Sequence, residues 1–472
     1  MSMIINSAAQ RYLTQFAGLA SLVLIIAVWL RSDISIVYPT LMGAIGVCSV
    51  YYYAMPHRRY VLPILWALFF VLGYILAFAS VLIDPDSAGI GPLKDTSFFT
   101  FSDSSFFTVF LVMLSGMTGI ATAVKLFEKV YGRHSRLALG GVVVDEGFRR
   151  RVKRISRAWL LISLVVIALM WALGIGRSGL SHATTLPFML TGILVYVKNM
   201  IIPFFGYLVF IAAVRTHSYG QIRIVLFMLL VVGFVGSVAF VSRSFFIFVI
   251  IPAVLQIGFY ESDRTLSRRF LRESGLLIFG MILILLPGIE LIREVVYTGG
   301  TMSSLKAADI TEGSSFLGAL GSIISLSTSR IVGFRELVVI TNYTGFDLLA
   351  PWQVFAGDET FNQMLSFALF RFEQEASGDN AFGYALGLWG MFYLSGSYFI
   401  VYLGSALAAG IVLAFEELFL QRGYVQFQSF MGLTIGLWIW GGIDWFLLSR
   451  LLVSASFCYV IVRYTKLSKF FQ

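Results

Sequence analysis

The chain has 472 residues, of which 58% are hydrophobic and 12% charged, with a mean hydropathy of +0.86 and a net charge of +9. That balance excludes an ordinary soluble domain, and apolar runs of about 20 residues point to helices that cross a bilayer. Two cysteines inside apolar runs, Cys48 and Cys458, exclude a disulfide framework.

Twelve spans are expected, near 12–30, 36–55, 60–83, 106–126, 158–175, 186–214, 222–241, 244–260, 275–297, 397–416, 425–444 and 447–464. Backbone groups in lipid must bond within their own segment, so the class is all-α and polytopic. The first run is too long for a signal-peptide core and reads as a retained span. Placing both termini in the cytoplasm makes the inner connections "PHRR", the stretch from Lys125 to Arg157, "RTHSYGQIR", "ESDRTLSRRFLRES", "EELFLQRGY" and the tail. With Arg11 these hold 23 of the 34 lysines and arginines. The net positive charge is thereby a topological signal, and nucleic acid is not an expected partner. The chain divides into spans one to nine over 1–297, a large outer segment over 298–396, and spans ten to twelve with a cytoplasmic tail over 397–472. Within the outer segment, 314–340 and 359–372 read as amphipathic helices on or in the membrane surface. No internal repeat is present.

The eleven remaining basic residues lie outside or within spans, against the charge bias. Arg177 follows span five, Lys198 sits near the middle of span six, and Arg243 occupies the tight turn between spans seven and eight. Arg293 closes span nine, Arg450 opens span twelve, and Arg330, Arg335 and Arg371 belong to the large outer segment. A single such residue pairs with a local acid or snorkels to headgroups. For Arg293, one turn from Glu290, a helical ion pair is the main competing reading. As a set they differ, because Arg177, Arg243, Arg293 and Arg450 come from four spans at one outer level. Arg330 and Arg335 would point about 140° apart on a straight helix, unless Gly333 bends the chain. Guanidiniums recognise a pyrophosphate bidentately, so the seven arginines Arg177, Arg243, Arg293, Arg330, Arg335, Arg371 and Arg450 form the expected pyrophosphate site.

Of four histidines only His182 is outer, in "RSGLSHATTLP". It is the first candidate for a general base, with Glu336 the second although Arg335 adjoins it. Asp84 and Asp86 form a weak carboxylate pair that a helix-stopping turn explains as well. No metal site and no cofactor are expected.

The succession "GILVYVKNMIIPFFGYLVFIAAVRTHSYGQIRIVLFMLLVVGFVGSVAFVSRSFFIFVIIP" resembles bacterial oligosaccharide repeat-unit polymerases of the O-antigen (Wzy) type. "NAFGYALGLWGMFYLSGSYFIVYLGSALAAGIV" is similar to that family's glycine-punctuated entry into the span after its large outer loop. The likeness covers about residues 160–420 by order and loop placement. It implies a GT-C-like, metal-independent membrane glycosyltransferase acting on undecaprenyl-pyrophosphate-linked oligosaccharide at the periplasmic face of a bacterial inner membrane. A chain-length regulator protein is a further implied partner. Arg243 and Arg330 each precede a glycine by fifteen residues, Gly258 and Gly345, as some functional arginines of the family do. The related O-antigen ligases carry a histidine in the large outer loop; 298–396 has none, which favours the polymerase. A ligase remains the first alternative. A flippase or secondary transporter is the alternative from another class, since twelve spans with intramembrane charge also suit transport.

Overall fold

The computed structural model describes residues 7–29, 35, 37–53, 60–83, 103–132, 146–176, 186–187, 190–257, 269–270, 273–275, 277–278, 280–281, 333–341, 347–356, 387–421, 452–454 and 456–461. Among these residues the structure is mostly helical, with short turns between helices, and contains no strand. Six helical stretches are long and apolar enough to cross a membrane: Leu62–Ala79, Phe106–Tyr131, Glu146–Ala172, Leu190–Arg215, Tyr219–Ala239 and Tyr398–Leu420. Shorter apolar helices cover Leu13–Trp29, Val37–Val50, Phe245–Leu255 and Leu452–Ile461. The chain is therefore an all-α, multi-pass membrane protein. Expected spans nine and eleven lie largely or wholly outside the described residues.

One packed group begins with α1 (Ser7–Trp29), α2 (Val37–Tyr53), α3 (Leu62–Phe70), α4 (Ala77–Ile83) and α5 (Asp103–Tyr131). A π-helical turn, Val71–Leu76, joins α3 to α4. Also in this group are α11 (Phe334–Thr341), α13 (Leu388–Tyr393) and α14 (Tyr398–Gln421). A short α12 (Ala350–Ala356) packs on α13. Lipid tails are as apolar as leucine, so close fit and polar satisfaction hold such helices together more than water exclusion does. Gly119 illustrates the fit: a Cβ there would run into the Tyr402 carbonyl, so α5 and α14 approach backbone to backbone. Tyr402 then donates to Thr122 Oγ1 at 3.3 Å.

The start of α3 shows how a buried charge is satisfied. Pro63 has no N–H, and Ile64 and Leu65 already donate to the Val61 carbonyl. The two remaining donors, Val61 N and Leu62 N, reach the fully buried Glu416 carboxylate at 2.7 and 2.9 Å. An anion at a helix N-terminus also complements the peptide dipole. Tyr60 adds a hydrogen bond to Glu417 at 3.0 Å.

The second group consists of α6 (Glu146–Ala172), α7 (Leu190–Tyr196), α8 (Ile202–Arg215), α9 (Tyr219–Ala239) and α10 (Arg243–Leu255). Trp159 of α6 donates to the Ile202 carbonyl at 3.2 Å, and its ring fills the notch left by Gly206. Tyr207 of α8 donates to Gln256 beyond α10 at 2.9 Å. A second π-helical turn, Val197–Ile201, separates α7 from α8. Its cause is in the sequence: Pro203 lacks an N–H and its ring clashes with the carbonyl four residues back, so the ladder must open there.

The described part of 314–340 sits differently from a helix lying on or in a membrane surface. It covers 333–340, at the start of α11, and its described side chains pack into the bundle. Phe334 stacks on Phe78 at 4.1 Å and lies parallel to Phe106 at 6.3 Å. Leu337, Val338 and Ile340 are buried with it. Gly333, just before the helix, lies so close to the Gly73 carbonyl of the first π turn that no side chain fits between them. A short helix with apolar residues on several sides is satisfied better inside a notch than on a surface. An apolar surface is instead offered around α12, where Leu348, Leu349 and Trp352 are exposed. Residues 359–372 lie outside the described residues.

Candidate functional site

The expected pyrophosphate site draws on residues that the structure describes unevenly. Arg177, Arg293, Arg330, Arg371, Arg450 and His182 lie outside the described residues. For Arg243, Arg335 and Glu336 the backbone is described and the side chain is not. What can be built is the scaffold from which two of the arginines, Arg177 and Arg243, start, and it contains a residue that the sequence reading left out of the site, Lys198.

Helix α6 ends in a Schellman motif. Ile175 N bonds to the Met170 carbonyl and Gly174 N to the Trp171 carbonyl, with Gly174 in the left-handed region at φ 65°. Gly176, also left-handed at φ 81°, then turns its carbonyl to the ammonium of Lys198, 2.7 Å away. The next residue in sequence is Arg177.

Helix α9 ends in the same motif, with Ser242 N on the Ser237 carbonyl and Val241 N on the Val238 carbonyl. Here the left-handed position is held by Val241, at φ 51°. A β-branched residue in that region carries local strain, on the order of 1–3 kcal/mol, of the kind found at functional turns. Phe240, the C-cap of α9, presents its ring to the same ammonium at 4.8 Å. Two residues past Val241, Arg243 opens α10, and Phe245 of α10 packs edge-on against Phe240 with centroids 5.5 Å apart.

Lys198 thus sits where the C-terminal ends of α6 and α9 come together. It is 5% exposed, and among the described residues no carboxylate pairs with it. Each helix end carries roughly half a negative charge, so two of them offset one ammonium. That accounts for a buried lysine that meets no carboxylate among the described residues, and makes it a strut between the two ends. The apolar helix Leu452–Ile461 meets the same segment at another residue. Phe457 meets the Tyr196 ring edge-on at 5.6 Å, two residues before Lys198. Arg450 precedes that helix in sequence.

Two of the seven arginines, Arg177 and Arg243, therefore stand next in the chain to helix ends that meet at this corner. Arg335 and Glu336 belong to α11, which packs on α4, α5 and α13 in the other group. The sequence signal for Lys198 was present in "VKNMIIP": a cation in a span, a few residues before a proline that opens the hydrogen-bond ladder beside it. No protein-family model matches the chain, and no curated protein or solved structure matches it.

Proposed function

We propose that the chain is a metal-independent membrane glycosyltransferase that joins oligosaccharide repeat units carried on a lipid pyrophosphate, undecaprenyl pyrophosphate in a bacterial inner membrane. The reading takes twelve spans in a GT-C-like arrangement, with both termini cytoplasmic and the 298–396 segment periplasmic. One observation carries it: Lys198 ties the ends of α6 and α9 together, so the chain leaves one corner toward both Arg177 and Arg243. Arg243 also heads a 13-residue helix, whose N-terminal dipole adds to the attraction for an anion. A pyrophosphate at headgroup depth has the charge and bidentate oxygens that such a corner selects.

In the reaction, a hydroxyl oxygen of the incoming unit attacks the anomeric carbon of the growing chain. The bond from that carbon to the pyrophosphate oxygen breaks, and the lipid pyrophosphate leaves with the electron pair. The arginines stabilise the charge that grows on it. The hydroxyl proton passes to His182, with Glu336 as the competing acceptor.

Disruption of the gene, followed by analysis of lipid-linked glycan, tests the assignment. Loss of a polymerase leaves single repeats on the surface lipid. Long chains stranded on the carrier would instead make the protein a ligase, and units confined to the inner leaflet would make it a flippase.

A further inference from the structure

Helix α6 begins well before it enters the membrane. Arg149, Arg150, Arg151, Lys153, Arg154 and Arg157 fall within nine consecutive positions, and all six are exposed. At 100° per residue, Arg149, Lys153, Arg157, Arg150 and Arg154 share an arc of about 140°, with Arg151 about 60° beyond it. The opposite face is packed: Phe148, Val152, Ser156 and Trp159 are buried. Gln221, near the start of α9, donates to the Arg149 carbonyl at 3.2 Å. The arc is therefore presented on a rigid helix that continues directly into a span.

Its charge has little compensation. Among the described residues, the one acid that meets it is Glu146, 3.2 Å from Arg150, and that pair is exposed on both sides. Nearby cations are treated differently. Glu273 accepts from Tyr219 at 2.7 Å and from Arg269 at 3.0 Å, with Arg223 4.0 Å away.

The depth of the arc points to what it meets. The expected span begins near 158, and Leu161 and Ile162, each 64% exposed, are the first strongly exposed apolar pair along α6, so the hydrocarbon begins between 158 and 161. Arg157 then stands within about 6 Å of that boundary and Arg149 about 14–18 Å outside. A headgroup layer is about 5–7 Å thick. Arg157 lies at phosphate depth, Arg154 and Lys153 reach back to it with their long side chains, and the rest lie within about a Debye length of the surface. A partner that binds at this depth is the lipid itself.

We infer that the α6 arc is a docking surface for anionic phospholipid headgroups in the leaflet it faces. Zwitterionic lipid supplies the same phosphate with no net charge and is retained less. The test uses the purified full-length protein in detergent with equal amounts of phosphatidylglycerol and phosphatidylcholine, the retained lipids being counted by native mass spectrometry. The expected result is a preference for phosphatidylglycerol of about threefold or more, collapsing in ~0.5 M salt. The triple variant Arg150→Gln, Lys153→Gln, Arg154→Gln, which keeps three cations and the buried face, should fall to near parity. Replacing Arg150 and Arg154 by Lys should keep the preference, since the attraction is to charge. Parity for the unaltered protein overturns the inference, as does full preference in a folded triple variant. If the triple variant fails to fold, the salt titration of the unaltered protein decides, and a preference insensitive to salt overturns the inference. Indifference to lipid charge together with capture of poly-glutamate would also overturn it, in favour of an acidic protein partner.

Discussion

At the scale of single residues, the strut at Lys198 and the role proposed for Arg243 are separable by substitution. Lys198 holds the Gly176 carbonyl and faces the Phe240 ring, so its loss leaves two helix ends facing each other without their cation. Lys198→Met should destabilise the protein by about 2 kcal/mol, the range for a hydrogen bond to a charged group. It should also lower glycan synthesis at matched protein level, because the corner that starts Arg177 and Arg243 loosens. Thermal unfolding in detergent and glycan ladder length measure the two effects. Undiminished stability would show that Lys198 is no strut. Arg243→Lys should behave oppositely, leaving unfolding unchanged while shortening the ladder, because a point ammonium does not reproduce a bidentate fork. The proton acceptor is decided by a pair of variants. His182→Ala should abolish turnover at saturating lipid-linked repeat, while Glu336→Gln keeps it; the reverse pattern assigns the carboxylate. Sequence reasoning could point to Arg243, which breaks the charge bias openly. It left Lys198 out because depth within one span says nothing about where neighbouring helices end. The level of Gly176 and Phe240 beside it is a property of the packed bundle.

At the scale of elements, the seating of α11 is the feature that sequence periodicity did not reveal. "FRELVVI" has apolar residues that suit a membrane surface or a buried notch equally. The deciding partner is the Gly73 backbone, exposed to contact because a glycine sits within a π turn a great distance away in sequence. Gly333→Ala places a methyl group against that carbonyl, and backbone cannot move aside as a flexible side chain can. Overpacking of this kind costs about 1–3 kcal/mol. The expected result is a protein that still inserts but unfolds at lower temperature. Its turnover should also fall if α11 carries Glu336 or Arg335 to the substrate. Wild-type stability in Gly333→Ala would refute the seating. The α3 start offers a cleaner case, since Glu416 serves both remaining backbone donors there. Glu416→Gln keeps the shape but offers one acceptor oxygen where two were used, leaving a buried N–H unmet at a cost of about 1–3 kcal/mol.

At the scale of the whole molecule, composition and apolar runs made the class legible, and six of the expected spans are long apolar helices in the structure. The apolar part of α6 was legible, as basic residues through Arg157 give way to an apolar run, whereas the helix itself begins at Glu146, inside the stretch read as a connection. The orientation rests on the same charges. Basic connections alternate with sparse ones along the chain, and moving the "GFRRRVKRISR" stretch of α6 across a bilayer would carry at least six cations with it. The α6 start, the α9 start and the C-terminus are therefore expected on the cytoplasmic side, with the corner at Lys198 on the other. Reporter fusions at Gly345 and at Gln472 test this, since a periplasmic phosphatase is active only outside and a fluorescent protein folds only inside. Phosphatase activity at Gly345 and fluorescence at Gln472 are the expected pair. A fluorescent fusion at Gly345 would put the large segment in the cytoplasm, and the lipid-pyrophosphate donor would then have to be used before it is flipped. Chelation discriminates further on the proposed site. If the proposed site is right, glycan synthesis by the purified protein should continue in excess EDTA, because in that proposal fixed guanidiniums meet the leaving group's charge. Loss of activity restored by Mg²⁺ would replace that mechanism with one in which Asp84 and Asp86 hold a metal.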